Sequence, residues 1–217
     1  MRIVVVASGR LEAIDVAHLD RADLVVAADG GAESLDALGR RPDLLVGDMD
    51  SVGPALAERL EAAGAGVERH PADKERSDTE LALEAAFARG ATEIVLLGAI
   101  GGDRLDHELA NLLLLADPGL AGCDVRIESG SSTARVLRGG ERLALSGSVG
   151  DLVSLLPIGG DASGVITDGL RWSLEHARLG FGRSRGLSNE IVAAPASVSL
   201  ERGTLLVVET TSRGAPT

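Results

Sequence analysis

Aspartates follow two apolar segments in the first half of the chain, at the points where buried strands are predicted to end. Asp29 comes after Leu24–Ala28, and Asp48 and Asp50 come after Leu44–Gly47. Ligands of open α/β sheets bind beyond the carboxyl ends of the strands, so these side chains are expected at a ligand site. Clustered carboxylates repel each other unless a cation lies among them. Hard oxygen ligands, without Cys or paired His, favour Mg²⁺ over zinc.

Asp48 and Asp50 are the strongest metal-ligand candidates in this group. Residues i and i+2 of a strand point to the same side, so both carboxylates are expected to face one ion. Any single aspartate at a strand end is equally well explained as a turn former or a helix cap. The spacing of these two aspartates therefore carries the metal hypothesis.

Lys74 is the only lysine in the chain, and it lies four residues before Asp78. A compact ammonium suits a phosphate site as a point charge, and the planar fork of arginine does not replace it freely. The alternative is a solvated charge cluster, the usual role of such a segment. Ser77 and Glu80 have the spacing of a capping box, which predicts that a helix begins here.

The loop at residues 98–107 combines glycines with charged residues that suit phosphate binding. Arg104 can clamp a phosphate beside Asp106, and His107 and Asn111 lie one helical turn apart. A lone histidine at this position is more often a structural cap. Neither the glycine fingerprint of dinucleotide-binding folds nor a P-loop motif occurs in the chain.

Strands that alternate with helices must position these residues. Apolar runs typical of strands occur at residues 3–6, 24–28, 44–47, 67–70 and 94–97. Helical patterns occur at residues 11–19, 32–38, 54–63, 77–89 and 106–116. This alternation predicts a parallel sheet with helices on both faces, and therefore a Rossmann-like α/β domain over residues 1–120.

The pattern changes after residue 122 to short runs separated by Gly, Ser and Asp. These runs lie at residues 125–128, 134–137, 142–145, 152–156, 164–167, 170–174, 196–200 and 204–210. Their regular spacing predicts an antiparallel β-sandwich domain over residues 121–217. Trp172 and the run Ser188-Asn189-Glu190 lie in this half, where a lone tryptophan is usually core and such a run is usually a turn.

Composition excludes several classes of protein. The 21 basic and 33 acidic residues give a net charge of −12, and aromatic residues make up 1% of the chain, so general nucleic-acid binding is not expected. No apolar run approaches the roughly 18 residues of a membrane span, and Met1–Val6 is too short for a signal peptide. Cys123 is the only cysteine, which excludes an intrachain disulfide. We expect a soluble, cytoplasmic protein without nucleic-acid or membrane partners.

Taken in order, six motifs of the chain resemble the thiamine pyrophosphokinase family. They are ADGGA, PDLLVGDMDS, DKERSDTELAL, GAIGGDRLDHELANL, GLRWSL and GLSNE, and they extend from about residue 27 to residue 190. The resemblance implies an N-terminal α/β nucleotide- and Mg²⁺-binding catalytic domain and a C-terminal β-sandwich for thiamine binding and dimerisation. It further implies a homodimer with sites between subunits, which transfers pyrophosphate from ATP to thiamine and releases AMP.

The resemblance also implies a role for each candidate residue. The Mg²⁺ ligands would be Asp48, Asp50 and Asp78. The catalytic residues would be Lys74, Asp78, Arg104 and Asp106. The substrates would contact Asp29, Ser51, Ser77, His107, Asn111, Trp172, Ser188 and Asn189, with the indole of Trp172 stacked on the aminopyrimidine of thiamine. The chain departs from the family pattern at Asp103, which separates Gly102 from Arg104.

Two other functions remain open from the residues alone. A Mg²⁺-dependent phosphohydrolase could use the same carboxylates without needing Trp172. A thiamine-binding protein without catalysis could keep Trp172 and lose the metal site, although the complete aspartate set counts against it. For a transferase, the carboxylate that accepts the proton of the attacking hydroxyl is either Asp78 or Asp106.

Overall fold

Helices and strands alternate along the first unit of the computed structural model, Met1–Gly130, and strands follow in a second unit that begins at Ser131. The structure describes residues 1–212. The predicted fold class is confirmed, because the first unit is α/β with a parallel sheet and the second is built from antiparallel sheets. Within residues 1–212, no helix is long and apolar enough to span a membrane.

Six parallel strands form the sheet of the first unit, in the order β6-β5-β1-β2-β3-β4. The strands are β1 (Arg2–Val6), β2 (Leu24–Ala28), β3 (Leu44–Gly47), β4 (Gly66–Arg69), β5 (Glu93–Leu97) and β6 (Asp124–Ser129). The central strands β1, β3 and β5 are buried along almost their whole length. Continuous apolar runs of this kind are expected where helices cover both faces of a parallel sheet.

Five helices connect these strands. They are α1 (Val16–Leu19), α2 (Gly31–Ala37), α3 (Pro54–Ala62), α4 (Asp78–Ala88) and α5 (Leu105–Leu114). The helix predicted over residues 11–19 is shorter than expected, because a 3₁₀ turn at Ala13–Asp15 precedes a single α-helical turn. There the side chain of Asp15 accepts a hydrogen bond from the backbone N–H of Glu12, which competes with a helical start at Leu11.

Helix α4 packs across the strands that carry the predicted site. Its buried residues include Leu81, Ala82 and Ala86, and it contacts β1, β2 and β3. The Ser77 hydroxyl accepts a hydrogen bond from the backbone N–H of Glu80 at 3.2 Å, so the predicted N-cap is confirmed. An N-cap of this kind contributes about 1 kcal/mol to helix stability and fixes the residue at which α4 begins.

The second unit contains two antiparallel sheets of four strands each, ordered β12-β9-β14-β7 and β11-β10-β13-β8. The strands are β7 (Ser132–Arg138), β8 (Arg142–Ala144), β9 (Leu152–Pro157), β10 (Ala162–Asp168), β11 (Ala177–Leu179), β12 (Asn189–Glu190), β13 (Ser197–Ser199) and β14 (Thr204–Thr210). Buried residues of both sheets, such as Leu155, Val165 and Leu205, share one apolar core. This is the arrangement of a β-sandwich.

Two segments differ from the sequence-based expectation. Strand β6 pairs in parallel with β5, so the first compact unit extends past residue 120 to Gly130. The strand predicted at residues 170–174 is wrong, since only Leu170 forms an isolated bridge there. The backbone N–H and C=O of Trp172 are bonded by the side-chain amide of Asn189, which replaces strand pairing.

Candidate active site

Three aspartates from different elements meet at one edge of the first unit's sheet. Asp29 follows β2, Asp48 follows β3, and Asp78 is the first residue of α4. Each offers one carboxylate oxygen, and these three oxygens lie within 4.8 Å of one another. Uncompensated carboxylates at this separation repel strongly, so the cluster calls for a positive charge.

Lys74 supplies that charge to two of the three aspartates. Its Nζ lies 3.0 Å from Asp48 Oδ2 and 2.9 Å from Asp78 Oδ1, and its side chain is only 14% exposed. Burial by itself lowers the pKa of Lys74, but the hydrogen bonds to Asp78 and Asp48 outweigh it and raise that pKa. The hydrogen bond from Lys74 is also the largest cause of the lowered pKa of Asp48.

Asp29 is the carboxylate of the cluster with which Lys74 forms no ion pair among the described residues. It is buried, and its Oδ1 has no hydrogen-bond partner among the described residues. Burial is the largest cause of the raised pKa of Asp29, and the nearby charges of Asp78, Asp50 and Asp48 raise it further. A buried carboxylate oxygen without a partner costs free energy unless a ligand contacts it.

The residues at the cluster fit a hard divalent cation. All three donors are carboxylate oxygens, which Mg²⁺ prefers, and the buried oxygen of Asp29 has no protein donor. Gly47 (φ 151°) leaves room beside them, because a Cβ there would lie 2.9 Å from Asp29 Cβ and 3.0 Å from Asp78 Oδ1. The cluster thus depends on the absence of a side chain at this strand end.

Asp50 is not part of the three-carboxylate cluster, contrary to the argument from strand spacing. Strand β3 ends at Gly47, and Met49 has a positive φ of 67°, so Asp48 and Asp50 do not share one side of an extended strand. Instead, Asp48 Oδ1 accepts a hydrogen bond from the backbone N–H of Asp50 at 3.1 Å, and Asp50 Oδ1 accepts one from the Ser51 hydroxyl at 2.9 Å.

A cavity of about 290 Å³, which we call the carboxylate cavity, surrounds the cluster. It is lined by Ser8, Ala28, Asp29, Asp48, Asp50, Ser51, Ser77, Asp78, Thr79, Arg104 and His107. A second cavity of about 160 Å³, the loop cavity, shares Ser8, Thr79, Arg104 and His107 with it. The structure thus gathers most of the predicted residues of the first unit around two adjacent cavities that share four lining residues.

The charged side chains of the glycine-rich loop are held in place by each other. Arg104 donates to both carboxylate oxygens of Asp106, at 2.9 and 2.6 Å, and this pair is exposed. Arg104 lowers the pKa of Asp106 to about 2, which makes Asp106 a weak proton acceptor in this arrangement. Asp106 itself does not line either cavity.

Asn111 and Glu108 support the loop from helix α5. Asn111 is buried and donates its side-chain amide to the carbonyl of Ala99 at 2.9 Å, so this amide positions the loop backbone. Glu108 Oε1 accepts hydrogen bonds from the backbone N–H groups of Gly101 and Gly102, at 2.9 and 3.0 Å. These hydrogen bonds help to hold the loop that carries Arg104.

The predicted residues of the second unit line a groove of about 550 Å³, which we call the Trp172 groove. Its lining residues are Leu155, Trp172, Ser173, Leu174, Arg185, Gly186, Leu187, Ser188 and Asn189. Trp172 is 60% exposed and therefore not a core residue, which excludes the usual explanation of a lone tryptophan. Ser188 has a positive φ of 57° and donates its backbone N–H to the Ser154 hydroxyl at 3.1 Å.

Asn189 is buried beneath Trp172 and binds its backbone twice. Asn189 Oδ1 accepts from the N–H of Trp172 at 3.1 Å, and Asn189 Nδ2 donates to the carbonyl of Trp172 at 2.8 Å. Arg171 covers the indole with its guanidinium 5.9 Å from the ring centroid, and it also pairs with Glu190. Asn189 thus holds Trp172 in this structure and also lines the groove, and its contact with a ligand stays a prediction.

Sequence reasoning missed Ser8, Thr79, Glu108 and Arg185 as lining or supporting residues. Ser8 follows the first predicted strand and Thr79 lies in the first turn of α4, so the rule that placed Asp29 and Asp78 also applies to them. Glu108 and Arg185 give no such signal, because a charged residue on a helix or in a loop is usually solvated.

Comparison with known proteins gives a family for both units. The family model of the thiamin pyrophosphokinase catalytic domain matches residues 17–127, just over half of the chain. The family model of the thiamin pyrophosphokinase vitamin B1 binding domain matches residues 142–205. The chain belongs to the thiamine pyrophosphokinase family. The resemblance stated from its six motifs is therefore confirmed, and so is its classification as an enzyme.

Individual thiamine pyrophosphokinases agree with this membership along most of their length. The enzyme of Bacillus subtilis is 25% identical over 194 residues, which are 89% of this chain and 90% of that protein. Thiamine pyrophosphokinase 1 of Oryza sativa subsp. japonica is 29% identical over 212 residues, 86% of this chain and 78% of that protein. The crystal structure of the Geobacillus thermodenitrificans enzyme matches at 26% identity with a TM-score of 0.81, covering 100% of both chains.

Replacing Gly47 tests whether the carboxylate cluster depends on the space at the end of β3. We expect Mg²⁺ to raise the melting temperature of the unsubstituted protein. We expect Gly47→Ala to push Asp29 and Asp78 apart and to abolish that rise. Gly39→Ala is the matched control, because Gly39 also has a positive φ (64°) but nothing lies within 4 Å of its added Cβ. The control should cost about 1 kcal/mol and keep the Mg²⁺ effect. Equal Mg²⁺ responses in both variants would contradict the role of Gly47.

Removing the ammonium of Lys74 should destabilise the apo protein in a pH-dependent way. The lowered pKa of Asp48 gives stabilisation that is present at neutral pH and is lost as the pH falls through that lowered value. The raised pKa of Lys74 gives stabilisation that persists until the pH rises through it, above the ordinary value of 10.5. We expect Lys74→Met to lower the melting temperature by about 3–8 °C at pH 7 and by progressively less as the pH falls below 3.8, the ordinary pKa of aspartate.

Thermal melts followed by circular dichroism measure this difference across the pH range. Lys74→Arg keeps the charge and should retain most of the stability at pH 7. If Lys74→Met lowers the melting temperature by the same amount at pH 3 and pH 7, the packing of the Lys74 side chain, and not its charge, stabilises the cluster.

Proposed function

We propose that this protein transfers the terminal pyrophosphoryl group of ATP to the hydroxyethyl oxygen of thiamine. The products are thiamine diphosphate and AMP. The observation that carries the proposal is the cluster of Asp29, Asp48 and Asp78 with Lys74 beside it, in a chain of the thiamine pyrophosphokinase family. Carboxylates and an ammonium at the carboxyl ends of parallel strands are suited to holding a metal–nucleotide complex.

Mg²⁺ belongs to this proposal, and Asp29, Asp48 and Asp78 are the residues that would hold it. When bound, Mg²⁺ neutralises phosphate charge and polarises the transferred group. Asp50, which the resemblance implies as a ligand, lines the same cavity outside this cluster. From there its carboxylate adds negative charge around the cation and holds the Ser51 hydroxyl.

The protein's own residues contribute position and charge to the reaction. The thiamine hydroxyl forms a bond to the β-phosphorus, the bond from that phosphorus to the α–β bridging oxygen breaks, and AMP departs with the electron pair. Lys74 and Arg104 carry positive charge toward the oxygens where negative charge increases. The hydroxyl proton must pass to a base or to solvent, and Asp106 is poorly suited to accept it while Arg104 holds its pKa near 2.

The Trp172 groove is the proposed binding site for the thiamine rings. An exposed indole offers its face to a cationic heterocycle, and the hydroxyl of Ser188 is available at the same groove. Asn189 serves this site by fixing the backbone of Trp172. The resemblance further implies a homodimer with sites between subunits and a cytoplasmic location, and both form part of the proposal.

An assay that separates the products distinguishes this function from its alternatives. Incubation with thiamine, ATP and Mg²⁺ should give equal amounts of AMP and thiamine diphosphate. A phosphohydrolase would release phosphate from ATP without thiamine, and a thiamine-binding protein would release neither product. Formation of ADP in place of AMP would contradict attack at the β-phosphorus.

Neutralising Asp48 should reduce turnover while preserving the fold. We expect Asp48→Asn to lower kcat by about 100-fold or more, since charge stabilisation of a phosphoryl-transfer transition state is worth several kcal/mol. Asp73→Asn is the matched control, because Asp73 precedes Lys74 directly, is exposed and loses the same charge. Its kcat should remain within about twofold of the original. Similar losses in the two variants would show that overall charge, not the cluster, controls turnover.

Replacing Trp172 should weaken thiamine binding without unfolding the protein. We expect Trp172→Ala to raise the dissociation constant for thiamine by about 2- to 30-fold, corresponding to about 0.5–2 kcal/mol for a cation over an indole face. ATP binding and the melting temperature should change little. The control is Phe181→Ala, because Phe181 is an aromatic residue of the same unit with the same exposure of 60%.

Calorimetric titrations with thiamine and with ATP measure both affinities. Since Trp172 is the only tryptophan of the chain, its fluorescence in the unsubstituted protein should also change saturably with thiamine. If Trp172→Ala and Phe181→Ala bind thiamine with the same affinity, thiamine does not bind beside Trp172.

A further inference from the structure

The Trp172 groove contains one charged residue, and its charge has the same sign as thiamine. Of the nine residues that line the groove, Arg185 is charged, and none carries a carboxylate. The thiazolium ring of thiamine is a cation. A groove built for this cation alone would gain from a carboxylate and would lose affinity through a guanidinium.

Arg185 also forms no ion pair with any residue in the range 1–212 that the structure describes. Three arginines of the second unit form ion pairs, Arg142 with Asp168, Arg171 with Glu190 and Arg178 with Asp161. Among residues 1–212, the contact of the Arg185 guanidinium is a hydrogen bond from NH1 to the carbonyl of Arg178 at 3.3 Å. Its remaining N–H groups therefore face solvent or the groove, where an anionic ligand could accept hydrogen bonds from them.

We propose that Arg185 forms an anion subsite of the Trp172 groove and makes the groove prefer phosphorylated thiamine over thiamine itself. The inference rests on the proposed function, since it takes the thiamine rings to bind beside Trp172. Phosphates on the hydroxyethyl arm convert a cation into a ligand with negative charge at one end. Arg185 then changes from a repelling group into a donor of charge-assisted hydrogen bonds.

The consequence for the reaction is that the product is held more firmly than the substrate. Tight binding of thiamine diphosphate slows its release and makes it an inhibitor that competes with thiamine. Because Arg185 is exposed, this preference should decrease as salt screens the guanidinium. Arg185 is a specificity residue in this proposal, because it distinguishes thiamine from its phosphate esters.

Calorimetric titrations with thiamine, thiamine monophosphate and thiamine diphosphate test the proposal, because these ligands share their rings and differ in charge. In the unsubstituted protein, affinity should increase along this series. Arg185→Gln should weaken thiamine diphosphate binding by about tenfold and leave thiamine binding equal or slightly tighter. Arg183→Gln is the control, since Arg183 is an exposed arginine of the same loop that does not line the groove.

The outcomes separate this inference from the proposed function. Equal affinity for the three ligands, or an equal effect of Arg185→Gln and Arg183→Gln on thiamine diphosphate, would overturn the anion subsite and leave thiamine binding intact. Absence of thiamine binding to the unsubstituted protein would overturn the proposed function and the subsite together. Inhibition of the steady-state reaction by thiamine diphosphate should weaken in Arg185→Gln and remain unchanged in Arg183→Gln.

Discussion

Repulsion among Asp29, Asp48 and Asp78 is the constraint on which the catalytic half of this protein depends. Their oxygens lie within 4.8 Å of one another, and Lys74 compensates two of the three carboxylates. The ends of β2 and β3 and the capped start of α4 hold these carboxylates in place, and the lack of a side chain at Gly47 leaves room for them. Such an arrangement lowers the stability of the protein by itself, and the Mg²⁺ that we propose for this site would offset that cost.

Much of this arrangement could be predicted from the sequence because the signals are local. Apolar runs alternating with helical patterns indicate a parallel sheet, and the start of α4 follows from Ser77. The aspartates at strand ends then share one rim by topology. The position of Asp50 could not be predicted, since it depends on a positive φ at Met49, a residue type that seldom adopts this conformation. The burial that leaves Asp29 Oδ1 without a donor likewise depends on tertiary packing.

In the second unit, the sequence pattern predicts the fold but not the local structure around Trp172. Its sandwich was predictable from the spacing of short apolar runs, yet residues 170–174 look like one more strand and are not. Trp172 lies in an irregular segment because the amide of Asn189 satisfies its backbone N–H and C=O. A buried side chain thus performs the task of a neighbouring strand, and the indole becomes free to face the groove.

The position of Lys74 has a consequence for the covalent chemistry of the chain. With no other lysine present, the protein has two amines, the N-terminal one and that of Lys74. The first donates a hydrogen bond to Thr92, and the second is enclosed by carboxylates that keep it protonated and therefore weakly nucleophilic. Acylating reagents and lysine-modifying enzymes have no surface ε-amine to react with among the described residues. Acylation of Lys74 would therefore show that the carboxylate cluster had opened.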